Sequence, residues 1–318
     1  HRDLHLSLRR QRQMCIRDRH CTVFILFPKG RVSEIQRKQM TTVDSTSIYP
    51  IEIDGTFDDC QNLVKHLFQN LEFKEEVRLG AINSINWARV AAQIVYYFST
   101  FQQLQSNRVS FSVPTGNFGD VLAGWVAKKM GLPIDKLIVA TNDNDILDRA
   151  ISNGDYFQEE VKATTSPSMD IQISSNFERL LFESLDRDPE KLRNLFKELK
   201  ENNGFRIGND TLAYIRNDFK SGKASEEKVK DTISRIHKAS NIILDPHTAV
   251  GFYASASELD FDVPMVNLGT AHPAKFSKAV IDAIGVEPEI PDRLKNIINK
   301  KEKFTQLEKN SEALISFI

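Results

Sequence analysis

The stretch VSFSVPTGNFGDVLAGWVAKKMGLPIDKLIVAT, residues 109–141, decides the fold class. It opens with an apolar strand over 109–113, passes through a glycine-containing loop and continues as a helix ending near Met130, with Gly131 as its C′ residue. A second strand follows over 136–140. Strand, helix and strand in roughly thirty residues make one βαβ unit, which joins parallel strands. Working outward, TVFILF (22–27) reads as a buried strand that exits through Pro28, Lys29 and Gly30 into a helix whose Ser33 and Gln36 have capping-box spacing. A strand over 48–53 reaches Gly55, and Thr56 caps a helix with Leu63, Val64, Leu67 and Phe68 on one face. Residues 85–101 are apolar nearly all round and predict a helix buried between layers. Beyond residue 141, the 155–240 stretch is charge-rich and helical, strand patterns return at 241–244 and 264–268, and an amphipathic helix over 274–284 ends before Gly285. The expected fold is α/β, three layers with open, mainly parallel sheets. Polar residues at 104–108 suggest the boundary between a small α/β domain, 21–105, and a large one, 106–290, that contains the 155–240 helical insertion. The lysine-rich tail 291–318 is expected to pack loosely.

Composition narrows the function. The 318 residues are 41% hydrophobic and 27% charged, with 14 Gly, 11 Pro and 20 Phe, which excludes bulk disorder. The longest apolar runs have five residues, far short of the ~20 needed to cross a bilayer. With 42 basic against 43 acidic residues there is no general attraction for nucleic acid or an anionic membrane, so small-molecule chemistry leads. Cys15, Cys21 and Cys60 form no CxxC pair, which points to free thiols in a reducing, cytoplasmic setting and to no metal site. Residues 1–20 stand apart. Six arginines and two aspartates give them +4, so the rest of the chain carries −5 of the total −1, and QRQMCIRDR reads as non-native sequence, not as a targeting peptide.

Three motifs could carry chemistry. Gly116, Asn117, Phe118, Gly119 and Asp120 lie between a strand and a helix, where unpaired N–H groups can cup an anion. The loop lacks the Lys-Ser/Thr of a triphosphate loop and the GxGxxG of a dinucleotide fold, so a monoester phosphate suits it better. Taken alone it also reads as a tight structural turn. Asn83 and Ser84 are natural caps at the mouth of the 85–101 helix. Arg89, in its first turns, needs an anion, either a protein carboxylate or a ligand phosphate. Thr270, in GTAHP after the 264–268 strand, lies where ligands of open α/β sheets bind. His272 reads as a structural turn residue, and Asp245 with His247 lacks a third group for a triad or metal site.

Set side by side, VFILFPKGRVSEIQRKQMTTV, DGTFDDCQ, GAINSINWAR, VPTGNFGDVLAGWVAKKMGLP, ATNDNDILDR, SPSMDIQISSNFERLLFE, DPHTAVG and TAHPAKF resemble, in order, the threonine synthases of pyridoxal-phosphate fold type II, which are tryptophan synthase β-like. The resemblance covers residues 23–276. It implies a bound pyridoxal 5′-phosphate, with Gly116, Asn117, Phe118, Gly119 and Asp120 around its phosphate and the Thr270 hydroxyl at its pyridine nitrogen. It implies that Asn83, Ser84 and Arg89 hold O-phospho-L-homoserine by its phosphate, and that the reaction is γ-elimination of phosphate followed by addition of water at the β-carbon. The protein would be a monomer or homodimer, cytoplasmic, or plastidic if a leader once preceded it. One departure stands out. The family's Schiff-base lysine in an AFKD-like segment, and the Ser-Gly-Asp-Thr-Gly loop after it, do not occur here. Phe73-Lys74, Phe196-Lys197 and Phe219-Lys220 stand in helical contexts and do not match. The fold is therefore expected to be incomplete at its N-terminus and the chain inactive. Two alternatives stay open: another pyridoxal-phosphate lyase acting on a phosphorylated amino acid, and a non-catalytic homologue that binds a phosphorylated ligand.

Overall fold

A computed structural model of the protein describes residues 21–83 and 86–318, apart from the side chains of Phe57, Asp58 and Arg293. The expectations for residues 1–20 and for Ser84 lie outside the described residues. The strands among these are, in chain order, β1 (Val23–Pro28), β2 (Ile48–Ile53), β3 (Val109–Pro114), β4 (Ile134–Thr141), β5 (Asp155–Phe157), β6 (Gly204–Arg206), β7 (Phe219–Lys223), β8 (Met265–Asn267) and β9 (Thr305–Leu307). Among the described residues, no helix is long and apolar enough to cross a membrane. The chain divides into two compact units, residues 21–80 with 289–318, and residues 81–288.

In the first unit β1, β2 and β9 form a parallel sheet in the order β1-β2-β9. The capping boxes are formed as the spacing requires. Ser33 and Gln36 cap the Glu34–Thr41 helix, and Thr56 and Asp59 cap the Phe57–Gln69 helix. Ile51, Ile53, Leu63, Leu67 and Phe73 pack into one core together with Leu314. The tail is thus not loose: β9 pairs with β2 from Ile51↔Thr305 to Ile53↔Leu307, and Leu314 of the Ser311–Phe317 helix is fully buried. An unpaired edge of β2 and an apolar patch that includes Leu63 and Leu67 recruit it, while Glu302 takes Arg37 at 3.0 Å and the Thr41 hydroxyl at 2.7 Å. The lysines between hide this in the sequence.

In the second unit the parallel sheet runs β7-β4-β3-β8. Successive residues of β4 face opposite sides. Leu137 and Val139 enter a core with the Gly119–Lys129 helix, whereas Ile138 and Ala140 enter another with Ala249 and Val250 of the Pro246–Ser255 helix. Both faces are therefore covered, and this unit is the three-layer α/β arrangement that the βαβ pattern predicts.

Three local expectations differ. The division falls at residue 80 instead of 104–108, because the Trp87–Phe101 helix packs on the second unit. The Tyr97 hydroxyl donates to Asp120 O at 2.8 Å, and its ring meets Phe111 edge-on at 4.7 Å. That helix is buried on one face only: Val90 and Tyr97 are inaccessible, but Trp87 and Val95 are 46% and 44% exposed. Residues 219–223, inside the expected helical insertion, are strand β7, since pairing Phe219 to Leu137 and Ala140 to Gly222 extends the sheet. Residues 241–244, read as a strand, belong to none; Asn241 ends the Glu226–Ser240 helix in a left-handed conformation.

Gly124 lets the Trp87–Phe101 and Gly119–Lys129 helices touch, because a Cβ there would lie 2.5 Å from Tyr97 Cε1 and 3.0 Å from Leu137 Cδ2. Gly124→Ala is expected to destabilise the protein by about 1–3 kcal/mol through overpacking, outweighing alanine's gain of about 1 kcal/mol in a helix. A denaturant midpoint at or above that of the wild type would contradict this.

Candidate functional site

The second sheet changes direction at β3. The chain runs from β3 to β4 and on to β7 on one side, then returns to place β8 on the other side of β3. The connecting helices differ in face too, Gly119–Lys129 on one and Pro246–Ser255 on the opposite one. Such a switch point opens a crevice outside the carboxyl ends of the two strands. Residues 115–120 leave β3 there. Gly269 and Thr270, both exposed, follow β8 beside it, the backbone pairing ending with Leu268 N–H on Ser112 O at 3.0 Å.

The 115–120 loop is held from below and from one side. Thr115 N–H donates to Ala140 O at 2.8 Å and its hydroxyl to Val113 O at 2.6 Å. The carbonyls are taken by a single neighbouring segment: Ser174 Oγ donates to Gly116 O at 2.7 Å, while Asn176 N–H and Nδ2 donate to Asn117 O at 3.2 and 2.9 Å. Gly116 has a steric reason, since a Cβ would lie 2.6 Å from Ser168 O. Phe118 adopts φ +61° and caps the Gly119–Lys129 helix without a side-chain bond. That conformation is strained for a bulky residue. It persists because the ring, 1% exposed, is packed against Phe177 and Phe219. Phe118 therefore offers a ligand only its backbone. No acceptor among the described residues reaches the N–H groups of 116–120. Five amides at a helix N-terminus make an anion cup.

Asp120 does not face that cup with a free carboxylate. Its Oδ1 lies 3.3 Å from the Tyr97 hydroxyl, and burial raises its pKa to about 6, against the opposing pull of that hydrogen bond and of the Arg89 charge. Burial likewise pushes the Tyr97 hydroxyl well above its usual range. Arg89 and Asp120 thus share one electrostatic neighbourhood. Around Arg89, Asn86 caps the helix, its Oδ1 accepting from Ala88 N–H at 3.0 Å and its Nδ2 donating to Ala81 O at 2.8 Å. Arg89 Nη1 donates to Ile82 O at 3.4 Å and its side chain is exposed. Asn83 lies in the same short segment; Ser84 is outside the described residues.

Residues 248–318 match the family model for the C-terminal part of threonine synthase. Over 308 residues the chain is 44% identical to the threonine synthase of Pseudomonas aeruginosa, covering 96% of this chain and 66% of that protein. The threonine synthase of Saccharomyces cerevisiae is also 44% identical, over 92% of this chain and 63% of its own length. A crystal structure of pyridoxal-phosphate-bound threonine synthase from Brucella melitensis superposes with a TM-score of 0.87 at 48% identity, covering 93% of this chain and 64% of that one. The chain belongs to the threonine synthase family. Its fold is that of the family, fold type II, and it spans just under two thirds of the length of these relatives.

Within this threonine synthase-family chain, His272 and His247 each have a structural partner. His272 Nδ1 accepts from Ala274 N–H at 3.2 Å, capping a short turn. Asp245 caps the Pro246–Ser255 helix: Oδ1 accepts from His247 N–H at 2.9 Å and meets His247 Nδ1 at 3.0 Å, and Oδ2 accepts from the Thr248 hydroxyl. Sequence reasoning passed over the groups that shape the loop. Asn142, at the end of β4, donates to Thr164 Oγ1, Ser166 Oγ and Asp170 Oδ1 at 2.8 to 3.0 Å. Asn144 joins Asp170 at 3.0 Å. This network anchors the chain on either side of Ser168 and so sets the roof over Gly116. The signal of these groups in the sequence is the asparagines and serines just after a strand or before a helix, in ATNDNDILDR and ISSNFERLL.

A carboxyl whose folded pKa is raised contributes stability that is complete below its unfolded value, near 3.8, and is lost as pH rises through about 6. Asp120→Asn keeps the acceptor for Tyr97 and removes the titration. The variant is expected to gain stability relative to wild type between pH 4 and pH 7. Denaturation curves across that range that remain parallel would contradict the raised value.

Proposed function

We propose that this chain carries the pyridoxal 5′-phosphate site and the substrate-phosphate site of a threonine synthase, which converts O-phospho-L-homoserine and water to L-threonine and phosphate. The observation that carries the reading is the set of unpaired amides at 116–120, opening into the β3/β8 crevice beside Thr270. A dianionic monoester gains several charge-assisted hydrogen bonds there, from donors already held in place. The residues fit the cofactor: Gly116 brings backbone close without a side chain, and the Asp120 carboxyl is turned to the Tyr97 hydroxyl.

When bound, pyridoxal phosphate supplies an electron sink that acidifies the substrate's C–H bonds next to the amine-bearing carbon. The chain's own residues bind and orient. Amides of Gly116, Asn117, Phe118, Gly119 and Asp120 hold the cofactor's phosphate, and Thr270 offers a neutral hydroxyl to the pyridine nitrogen, which leaves that nitrogen unprotonated. Asn83, Ser84 and Arg89 hold the substrate's phosphate, the group that leaves, so that the elimination begins from a fixed geometry. The P. aeruginosa and S. cerevisiae relatives, both threonine synthases, support this choice of substrate.

The chain contains no AFKD-like segment. Lys74 and Lys197 lie in surface helices, the first 5.9 Å over the Phe68 ring and the second 3.9 Å from Glu201, and Lys220 is on β7. None is a Schiff-base lysine in this reading. By itself the 318-residue chain is therefore expected to bind pyridoxal phosphate without covalent attachment and to make no threonine, since it lacks the acid–base group worth roughly 10²- to 10⁴-fold. Borohydride treatment followed by peptide mass mapping tests this: stoichiometric labelling of one lysine, with phosphate release from O-phospho-L-homoserine, would overturn it.

Arg89→Ala is expected to weaken O-phospho-L-homoserine binding by about tenfold or more, as for loss of a charge-assisted hydrogen bond. Pyridoxal phosphate affinity should stay within about twofold. Calorimetric titration of both ligands separates the two; equal losses, or none, would return Arg89 to a purely structural role.

A further inference from the structure

We propose that Arg179 is a positioning residue for the substrate's phosphate, tying the segment that carries Asn83 and Arg89 to the loop that carries the 116–120 amides. The inference deepens the reading above and rests on it. Arg179 stands in the first turn of the Phe177–Ser184 helix, and its Nε donates to Asn176 Oδ1 at 3.2 Å. Asn176 is the residue whose N–H and Nδ2 both donate to Asn117 O. On the other side the Arg179 guanidinium carbon lies 5.7 Å from the centroid of the Trp87 ring. Trp87 is the first residue of the helix that Asn86 caps, two residues before Arg89. One guanidinium thus connects Asn117, through Asn176, to the start of the helix that presents Arg89.

The chemistry of the side chain suits that task. A guanidinium can stack on an indole while its Nε–H donates in the plane of the group; a lysine ammonium can place a charge over the ring but has no planar group with a donor fixed in it. The position matters because two phosphate-holding groups serve one reaction only at a fixed separation, and a displacement of about 1 Å can cost on the order of 10²-fold. Asn86 bonds to Ala81 and Ala88 and Arg89 to Ile82, contacts within the segment's own few residues. Trp87 is also nearly half exposed, so its ring is not fixed by burial in a core.

The test titrates inorganic phosphate, by calorimetry, into the full chain saturated with pyridoxal phosphate, for wild type, Arg89→Ala, Arg179→Met, Arg179→Lys and Trp87→Leu. Arg179→Met should weaken phosphate binding at least tenfold while pyridoxal phosphate affinity stays within twofold, and Arg179→Lys should restore part of the loss. Trp87→Leu should match Arg179→Met, with the double variant no weaker than either. Amide hydrogen exchange over residues 81–89 should quicken in both single variants, a readout that needs no ligand. Wild-type phosphate affinity and unchanged exchange in Arg179→Met, with Arg89→Ala impaired, would overturn the proposal and leave the reading of the site standing. Parallel loss of pyridoxal phosphate would also overturn it, making Arg179 a support of the loop alone. Phosphate binding unaffected by Arg89→Ala would sink the substrate-side reading and this inference together. If Arg179→Met does not fold, the Lys and Trp87 variants decide.

Discussion

A parallel strand that turns into a helix within five residues leaves the amides of the turn and of the first helical turn with no backbone carbonyl to meet, and the rest of the second unit is arranged around that constraint. β3 ends at Pro114 and the helix begins at Gly119. The carbonyls of the turn are claimed by Ser174 and Asn176, so the loop is pinned through its acceptors while its donors face the crevice. Pinning the acceptors fixes the direction of the donors, because both belong to the same planar peptide groups. Phe118 shows what this requires. Its left-handed conformation would be unfavourable in isolation and is held by burial of the ring between Phe177 and Phe219.

Support for the loop comes from elements far apart in sequence. The Asn142, Asn144, Thr164, Ser166 and Asp170 network joins the end of β4 to the segment that roofs Gly116. Each hydrogen bond is worth only about 0.5–1.5 kcal/mol net, but a buried network whose members satisfy one another admits few alternative arrangements. The fit over Gly116 follows, with Ser168 O where a side chain would otherwise be.

The charges around the cup are ordered by burial. A carboxylate at the second position of a helix would ordinarily complement the helix dipole and compete with an incoming anion. The Asp120 carboxyl is engaged by the Tyr97 hydroxyl. Arg89 stands on the solvent side, where its charge can meet a second anion. In the reading proposed above, one phosphate is held by backbone dipoles and the other by a side-chain cation, so like charges are not crowded together.

Periodicity in the chain was enough to establish the parallel α/β class, most strands, both capping boxes and the position of the glycine-bearing loop, because these depend on interactions within a few residues. The ordered motifs were enough to indicate the family. Long-range pairing lay beyond the reach of these local patterns. β7 was hidden because FKSGK has no strand pattern of its own and forms only against β4. The tail joined the first unit because the edge of β2 was open to it, a fact that its lysines do not announce. The apolar 85–101 run gave no sign of which unit would bury it, and Tyr97 settled that through Asp120 and Phe111. The contacts of Asn176 and Arg179 were invisible in the sequence for the same reason. A polar side chain acquires its role from the partner it meets, and Asn117 and Trp87 come to them only when the sheet has brought residues some 60 to 90 positions apart into one crevice.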